Sequence, residues 1–214
     1  IDAVIVGAGF AGIYMLYKLR QQGLEARIIE AGSGVGGTWY WNRYPGASCD
    51  IESLVYFPLL EETGFVPKQR YTNATETLEY CQVIAEQYKL HDIALMQTQI
   101  LGTDWSEEEG LWVARTNRGD IIKATFVIHS NGPLNRPKLP GIPGIDTYTG
   151  HTFHTSRWDY DYTGGGPFGG LDKLADKRVA VIGTGATAVQ CVPHLAAGAK
   201  ELYVFQRTLS SIDV

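Results

Sequence analysis

Ala3-Val4-Ile5-Val6-Gly7-Ala8-Gly9-Phe10-Ala11-Gly12 is the stretch that decides the fold. Its four leading apolar residues run without interruption, as suits a parallel strand buried on both faces, and they open directly into a glycine loop and a helical stretch reaching about Gly23. Ala26-Arg27-Ile28-Ile29-Glu30 reads as a second strand. Strand, helix and strand therefore follow one another as one right-handed crossover.

The glycines have separate tasks. Gly7 permits the turn, Gly9 lets a pyrophosphate approach backbone N–H groups at the positive end of the helix that starts at Phe10, and Gly12 allows close helix–strand packing. A lone GxGxxG says little, but this copy follows a strand, opens a helix and has an acid, Glu30, at the end of the next strand. That carboxylate would accept hydrogen bonds from ribose hydroxyls and repel a 2′-phosphate. The first site is thus expected to take FAD or NAD, not NADP.

The same pattern recurs at Arg178-Val179-Ala180-Val181-Ile182, followed by Gly183-Thr184-Gly185-Ala186-Thr187-Ala188, an apolar helix with Val189 and Gln190, and the strand Leu202-Tyr203-Val204-Phe205. Counting from the first glycine, the position of Glu30 corresponds to Gln206, with Arg207 and Thr208 next to it. An amide, a guanidinium and a hydroxyl suit a 2′-phosphate, so the second site is expected to take NADP(H). Two strands and a helix leave a sheet edge open, and more of the same polypeptide is expected after Val214.

Between the two loops, residues 31–58 are irregular and aromatic. Asn73 and Glu76 stand in capping-box spacing before a helix whose Leu78, Cys81, Ile84 or Ala85, and Tyr88 share a face. From about Leu95 to His129, three strand-like stretches separated by two turn sequences predict an antiparallel meander. Pro133, Pro137, Pro140 and Pro143 make a stiff linker. The expected organisation is an FAD-binding domain over 1–135, a linker over 136–176 and an incomplete NADP-binding domain over 177–214. The fold class is α/β: a two-dinucleotide-binding-domain flavoprotein, with a Rossmann-like FAD domain carrying the meander and the start of a second Rossmann-like NADP domain.

A formal net charge of −5 without a Lys/Arg run argues against nucleic acid, and no apolar stretch reaches the length of a membrane span. Many of the 25 glycines cluster beside strand-like runs, where backbone must turn tightly or approach a ligand. Cys49, Cys81 and Cys191 form no CxxC pair and leave an odd thiol, which argues against a dithiol-reductase centre and for a reducing compartment, the cytoplasm. His151 and His154 lack a third ligand nearby, so no metal site is expected.

The segment Tyr148-Thr149-Gly150-His151-Thr152-Phe153-His154-Thr155-Ser156-Arg157-Trp158-Asp159 lies between the glycine loops. With Gly36-Gly37-Thr38-Trp39 and Asn42 to Asp50, it makes the chain resemble the class B flavin monooxygenases, and within them the Baeyer–Villiger monooxygenases. It matches their fingerprint of Phe, Gly, His, Trp and Pro or Asp at fixed spacing, with Tyr148 in place of the Phe. The resemblance extends over essentially the whole chain.

It implies flavin contacts from Gly37, Thr38, Trp39, Tyr40, Trp41 and Tyr56, and NADP contacts from Ser48, Cys49 and Asp50, with Asp50 beside both flavin and nicotinamide. Read alone, Asp50 would equally cap a helix and the aromatics would equally pack. His154 is implied to couple NADP binding to domain motion, without a direct chemical role. The implied activity uses NADPH and O2 to insert one oxygen next to a ketone carbonyl through a C4a-peroxyflavin, giving an ester or lactone. An arginine supplied after Val214 would complete the site, so the fragment alone is expected to be inactive. The alternatives are an N- or S-oxygenating flavin monooxygenase and a non-catalytic NADP(H)-binding module.

Overall fold

The computed structural model describes residues 1–210. The chain divides into two compact units, the first formed by Ile1–Trp41, Ile51–Thr72 and Glu76–Asn135, the second by Asn42–Asp50, Asn73–Thr75 and the described residues from Arg136 on. In chain order the elements up to residue 129 are β1 (Ala3–Val6), α1 (Phe10–Gln21), β2 (Ala26–Ile29), α2 (Thr38–Trp41), α3 (Ser53–Tyr56), α4 (Leu60–Thr63), α5 (Ala74–Gln87), β3 (Ala94–Leu95), β4 (Ile100–Ser106), β5 (Leu111–Thr116), β6 (Ile121–Ala124) and β7 (Phe126–His129).

The first unit is built on a parallel sheet in the order β3-β2-β1-β7, with Ile5 opposite Ile28 on one side and Ile128 on the other. Alternate residues of β1 leave the sheet on opposite faces. Ala3 and Ile5 join a core with Ile13 and Leu16 of α1 and with Tyr80, Cys81, Ile84 and Ala85 of α5. Val4 instead packs with Ile29, Ala124, Ile100 and Ile122. Both faces are covered, which is why the strand reads as unbroken apolar sequence. Each fully buried Ile or Leu contributes about 1.5–3 kcal/mol relative to exposure.

Two expectations needed correction here. The antiparallel meander is β4-β5-β6 alone, while Ala94–Leu95 and Phe126–His129 are strands of the parallel sheet. The chain changes sheets across Thr125, in the middle of the run Ile121-Ile122-Lys123-Ala124-Thr125-Phe126-Val127-Ile128, where no glycine or proline announces a break. Phe126 N–H then bonds the carbonyl of Asp2 at 2.9 Å, seating β7 beside β1. Residues 31–58, read as irregular, carry the short helices α2 and α3.

In the second unit, α6 (Tyr160–Thr163), β8 (Arg178–Ile182), α7 (Ala186–Gly198) and β9 (Glu201–Phe205) follow one another. Strands β8 and β9 pair in parallel, Arg178 opposite Glu201 and Ile182 opposite Phe205. Helix α7 buries Ala188, Cys191 and Leu195, and Leu171 and Leu174 are buried in the same unit. Ile182 and Phe205 remain exposed.

Candidate nucleotide sites

At the first glycine loop, Gly7 sits at φ +104°, and a Cβ there would lie 2.7 Å from the carbonyl oxygen of Ser130 at the end of β7. Only glycine satisfies both constraints. A Cβ on Gly12 would lie 1.9 Å from the Gly7 carbonyl oxygen, so loop and helix are in direct backbone contact. Gly37 faces Gly9, and a Cβ on Gly37 would come 2.8 Å from the Gly9 Cα. Helix α1 has no side-chain cap at Gly9 and no acid in its first turn, which leaves its leading N–H groups for an anion.

Glu30 is buried, and its carboxylate accepts the N–H of Ala8 at 2.7 Å and that of Gly32 at 2.6 Å. Two backbone donors therefore fix its orientation, while a carboxylate with about four acceptor positions retains two for ribose hydroxyls. Beyond it, Tyr40 O–H lies 2.8 Å from Ser33 Oγ, Trp39 Nε1–H donates to Tyr56 O–H at 3.1 Å, and Tyr56 meets Phe10 edge to face at 5.5 Å. Thr38 and Trp41 are the ends of the same short helix, α2. The structure thus gathers Gly7, Gly9, Phe10, Gly12, Glu30, Gly37 to Trp41 and Tyr56 in one unit.

The second loop repeats the geometry. Gly183 N–H donates to the Phe205 carbonyl at 2.9 Å, as Gly7 N–H does to Ile29, and Gly185 caps α7 without a side-chain bond and with no acid in the first turn. Where Glu30 closes the first loop, here the Gln206 amide donates to Thr184 Oγ1 at 3.2 Å, and Thr184 O–H donates to the Thr208 carbonyl at 3.3 Å. Arg207 and Thr208 are exposed, as are Gly185, Ala186 and Val189, while Ala188 is buried.

The loop Asn42–Asp50 belongs to this second unit. Gln190 of α7 meets it: its Nε2–H donates to the Ser48 carbonyl at 2.9 Å, and its Oε1 accepts from Tyr44 O–H at 2.8 Å and from Ser48 N–H at 3.4 Å. Burial pushes the Tyr44 phenol up. Cys49 is buried and Asp50 exposed. Burial also raises the Cys191 thiol to about 11 and the Cys81 thiol higher still. Cys49, Cys81 and Cys191 form no disulfide with one another.

In the fingerprint segment, His151 Nε2 pairs with Asp159 Oδ2 at 2.9 Å, and its ring stacks on Tyr162 at 3.9 Å. Asp159 Oδ1 accepts the Tyr162 N–H at 2.9 Å, capping α6. That amide, with a smaller contribution from His151, holds the Asp159 carboxyl below its ordinary value. His154 Nδ1 accepts the N–H of Ser156 at 3.2 Å and lies 2.8 Å from Ser156 Oγ, and Trp158 Nε1–H donates to Thr163 at 3.0 Å. An open cleft of about 460 Å³ is lined by His151, Phe153, Arg157, Trp158, Asp159 and Tyr160. Among the described residues no group of three or more His, Cys, Asp or Glu is placed to hold a metal.

Sequence reasoning passed over Ser130, Tyr44 and His194. Ser130 matters because β7 is a neighbour of β1, and the period of the sequence does not announce that. His194 lies one turn after Gln190, and a Cβ added to Gly46 or to Gly169 would lie 2.7 Å from its ring nitrogens. The i, i+4 spacing of Gln190 and His194 was the available signal.

The profile of the pyridine nucleotide-disulphide oxidoreductases matches residues 4–213. The chain belongs to that family. It is 52% identical over 216 residues to neopentalenolactone D synthase of Streptomyces avermitilis, covering all of this chain and 36% of that protein. It is 53% identical over 215 residues to a Baeyer–Villiger monooxygenase of Streptomyces coelicolor, again covering 100% of this chain and 36% of the relative. Among solved structures, the polycyclic ketone monooxygenase of Thermothelomyces thermophila superposes with a TM-score of 0.91 at 47% identity, over 98% of this chain and 35% of that one. A crystal structure of OTEMO in complex with FAD and NADP superposes with a TM-score of 0.88 at 39% identity, over 97% and 39%. The chain thus spans little more than a third of the length of the curated relatives it matches. The resemblance to Baeyer–Villiger monooxygenases holds along its whole length, and the structure is of the α/β class with a parallel sheet.

Proposed function

We propose that these residues form the two nucleotide sites of an FAD- and NADPH-dependent Baeyer–Villiger monooxygenase, which inserts one atom of O2 beside a ketone carbonyl to give an ester or lactone. The observation that carries this reading is the asymmetry of two loops of like geometry. One is closed by the buried carboxylate of Glu30, and the other lacks an acid and has Arg207 beside it.

The domain division follows from it: FAD over 1–135, a fingerprint link over 136–176 and NADP(H) over 177–214, of which residues 211–214 lie outside the described residues. The uncapped start of α1 receives the FAD pyrophosphate, Glu30 accepts the ribose hydroxyls, and Gly37, Thr38, Trp39, Tyr40, Trp41 and Tyr56 enclose the flavin. The start of α7, from Gly183 through Gln190, receives the NADP(H) pyrophosphate, while Arg207 and Thr208 take the 2′-phosphate. Ser48, Cys49 and Asp50 face the nicotinamide, and Asp50 serves flavin and nicotinamide together. His154 couples NADP binding to domain motion. FAD, when bound, supplies the chemistry that carries electrons from NADPH to O2. The relatives' names support a ketone substrate. Among the described residues no helix is long and apolar enough to cross a membrane, and three cysteines held outside disulfides support a cytoplasmic setting.

The test is to incubate the complete protein with NADPH and a cyclic ketone and to look for lactone by mass spectrometry. Lactone is expected. Sulfoxide from a thioether with no lactone would favour N- or S-oxygenation, and no oxygen uptake with any substrate would favour a non-catalytic NADP(H) module.

A further inference from the structure

Gln190 has more to do than line a nucleotide site. Its carboxamide meets the peptide of Ser48 in both directions, donating to the carbonyl at 2.9 Å and accepting from the N–H at 3.4 Å, as a neighbouring strand would. The same Oε1 takes the Tyr44 hydroxyl at 2.8 Å. Three of the bonds this amide can make are thus spent on one loop. Tyr44 is 8% exposed, so its bond is largely shielded from water.

The backbone of the loop lies equally close. Gly46, at φ +79°, stands where a Cβ would fall 2.5 Å from the Gln190 carbonyl oxygen, and Gly46 N–H donates to the Pro167 carbonyl at 2.9 Å. The far end of the loop is held by Ala74 N–H on the Ala47 carbonyl at 2.8 Å. Four residues before Gln190, α7 begins at Ala186 on the glycine loop, with its leading N–H groups uncapped. One helix therefore meets the proposed NADP(H) pyrophosphate at one turn and the Asp50-bearing loop at the next.

We propose that Gln190 is a positioning residue, which transmits occupancy of the 183–188 loop to the backbone of residues 44–50 and so sets where Asp50 is presented. This rests on the reading of the second loop as an NADP(H) site. The glutamine acts through Ser48 and Tyr44 and takes no part in the chemistry.

Hydrogen exchange followed by mass spectrometry tests it on the complete protein, with NADP+ as the probe. In the unsubstituted protein, NADP+ is expected to slow exchange both at 183–190 and at 44–50. Gln190→Met keeps the length and apolar volume of the side chain and removes all three bonds. With it, residues 44–50 should exchange roughly tenfold faster or more. NADP+, raised until it saturates the variant, should then protect 183–190 while its protection of 44–50 falls to what direct contact with Ser48, Cys49 and Asp50 leaves, and peptides from β1 and β2 should stay unchanged. Gln190→Glu keeps both acceptor bonds and loses the donated one, so it should restore part of the coupling. Unaltered protection of 44–50 in Gln190→Met, or NADP+ binding that never protects 44–50 in the unsubstituted protein, overturns the proposal alone. Failure of NADP+ to bind the unsubstituted protein overturns the reading of the second loop, and the proposal with it.

Discussion

Glu30 holds the first loop together and, in the proposed function, also receives the ribose. Its two oxygens take the N–H groups of Ala8 and Gly32, at 2.7 and 2.6 Å, in a site only 5% exposed. Glu30→Gln preserves the shape but turns one acceptor into a donor that faces another donor. The loss is expected to be about 1–3 kcal/mol of folding stability, read from urea unfolding, together with weakened FAD retention. Arg207 is the opposite case, an exposed cation with little to do in the unliganded fold. Arg207→Ala should leave stability within about 0.5 kcal/mol. It should raise the Michaelis constant for NADPH about ten- to hundredfold, the value of a charge-assisted contact of about 1.5–3 kcal/mol, with little change for NADH. Equal effects on both nucleotides would remove the assignment.

At the scale of elements, the two glycine loops separate structural from ligand-driven glycines. Gly12→Ala places a methyl 1.9 Å from the Gly7 carbonyl oxygen, and backbone cannot yield there as a flexible side chain would. A cost of about 1–3 kcal/mol or more is expected, visible as a lowered melting temperature. Gly185 has φ −73° and open space around its missing Cβ. Gly185→Ala should therefore fold as before and, if the proposed pyrophosphate uses that space, lose NADP+ affinity by calorimetry. Helix α6 adds a pH response. The Asp159 carboxyl is lowered, first by the Tyr162 amide and then by His151, so its contribution is present above the ordinary carboxylate value of about 3.9 and is lost as pH falls through the lower folded value. The His151 ring signals in NMR should shift on that descent, and Asp159→Asn should abolish the step.

For the whole molecule, the two units should respond separately to their ligands. FAD at about a hundred times its dissociation constant should stabilise the first unit by about 2.7 kcal/mol, slowing exchange in β1, β2 and 30–41. NADP+ should slow exchange in 183–190 and around Arg207. Protection of the same peptides by both ligands would count against two distinct sites.

Much of this was legible from order alone, because a buried parallel strand must be apolar on both faces and a phosphate loop must be glycine-rich where backbone approaches backbone. Val4 and Ile5 pack on opposite faces of the sheet, and Gly7 and Gly12 lie where a turn and a close backbone contact were expected. The proposed polarity of the two sites also rests on order alone, since Glu30 corresponds, counting from the first glycine, to Gln206, with Arg207 next to it. What order could not convey was long-range pairing. Thr125 parts two strands of different sheets within one apolar run, and only the parallel partners on either side of β1 and β2 decide which strand goes where. The loop 42–50 is a second instance: it is close in sequence to β2, yet Gln190, 142 residues from Ser48, takes it into the other unit. Local periodicity determines which residues are buried and which backbone must turn. Hydrogen bonds between distant segments depend on how the chain closes on itself, and that was decided only in three dimensions.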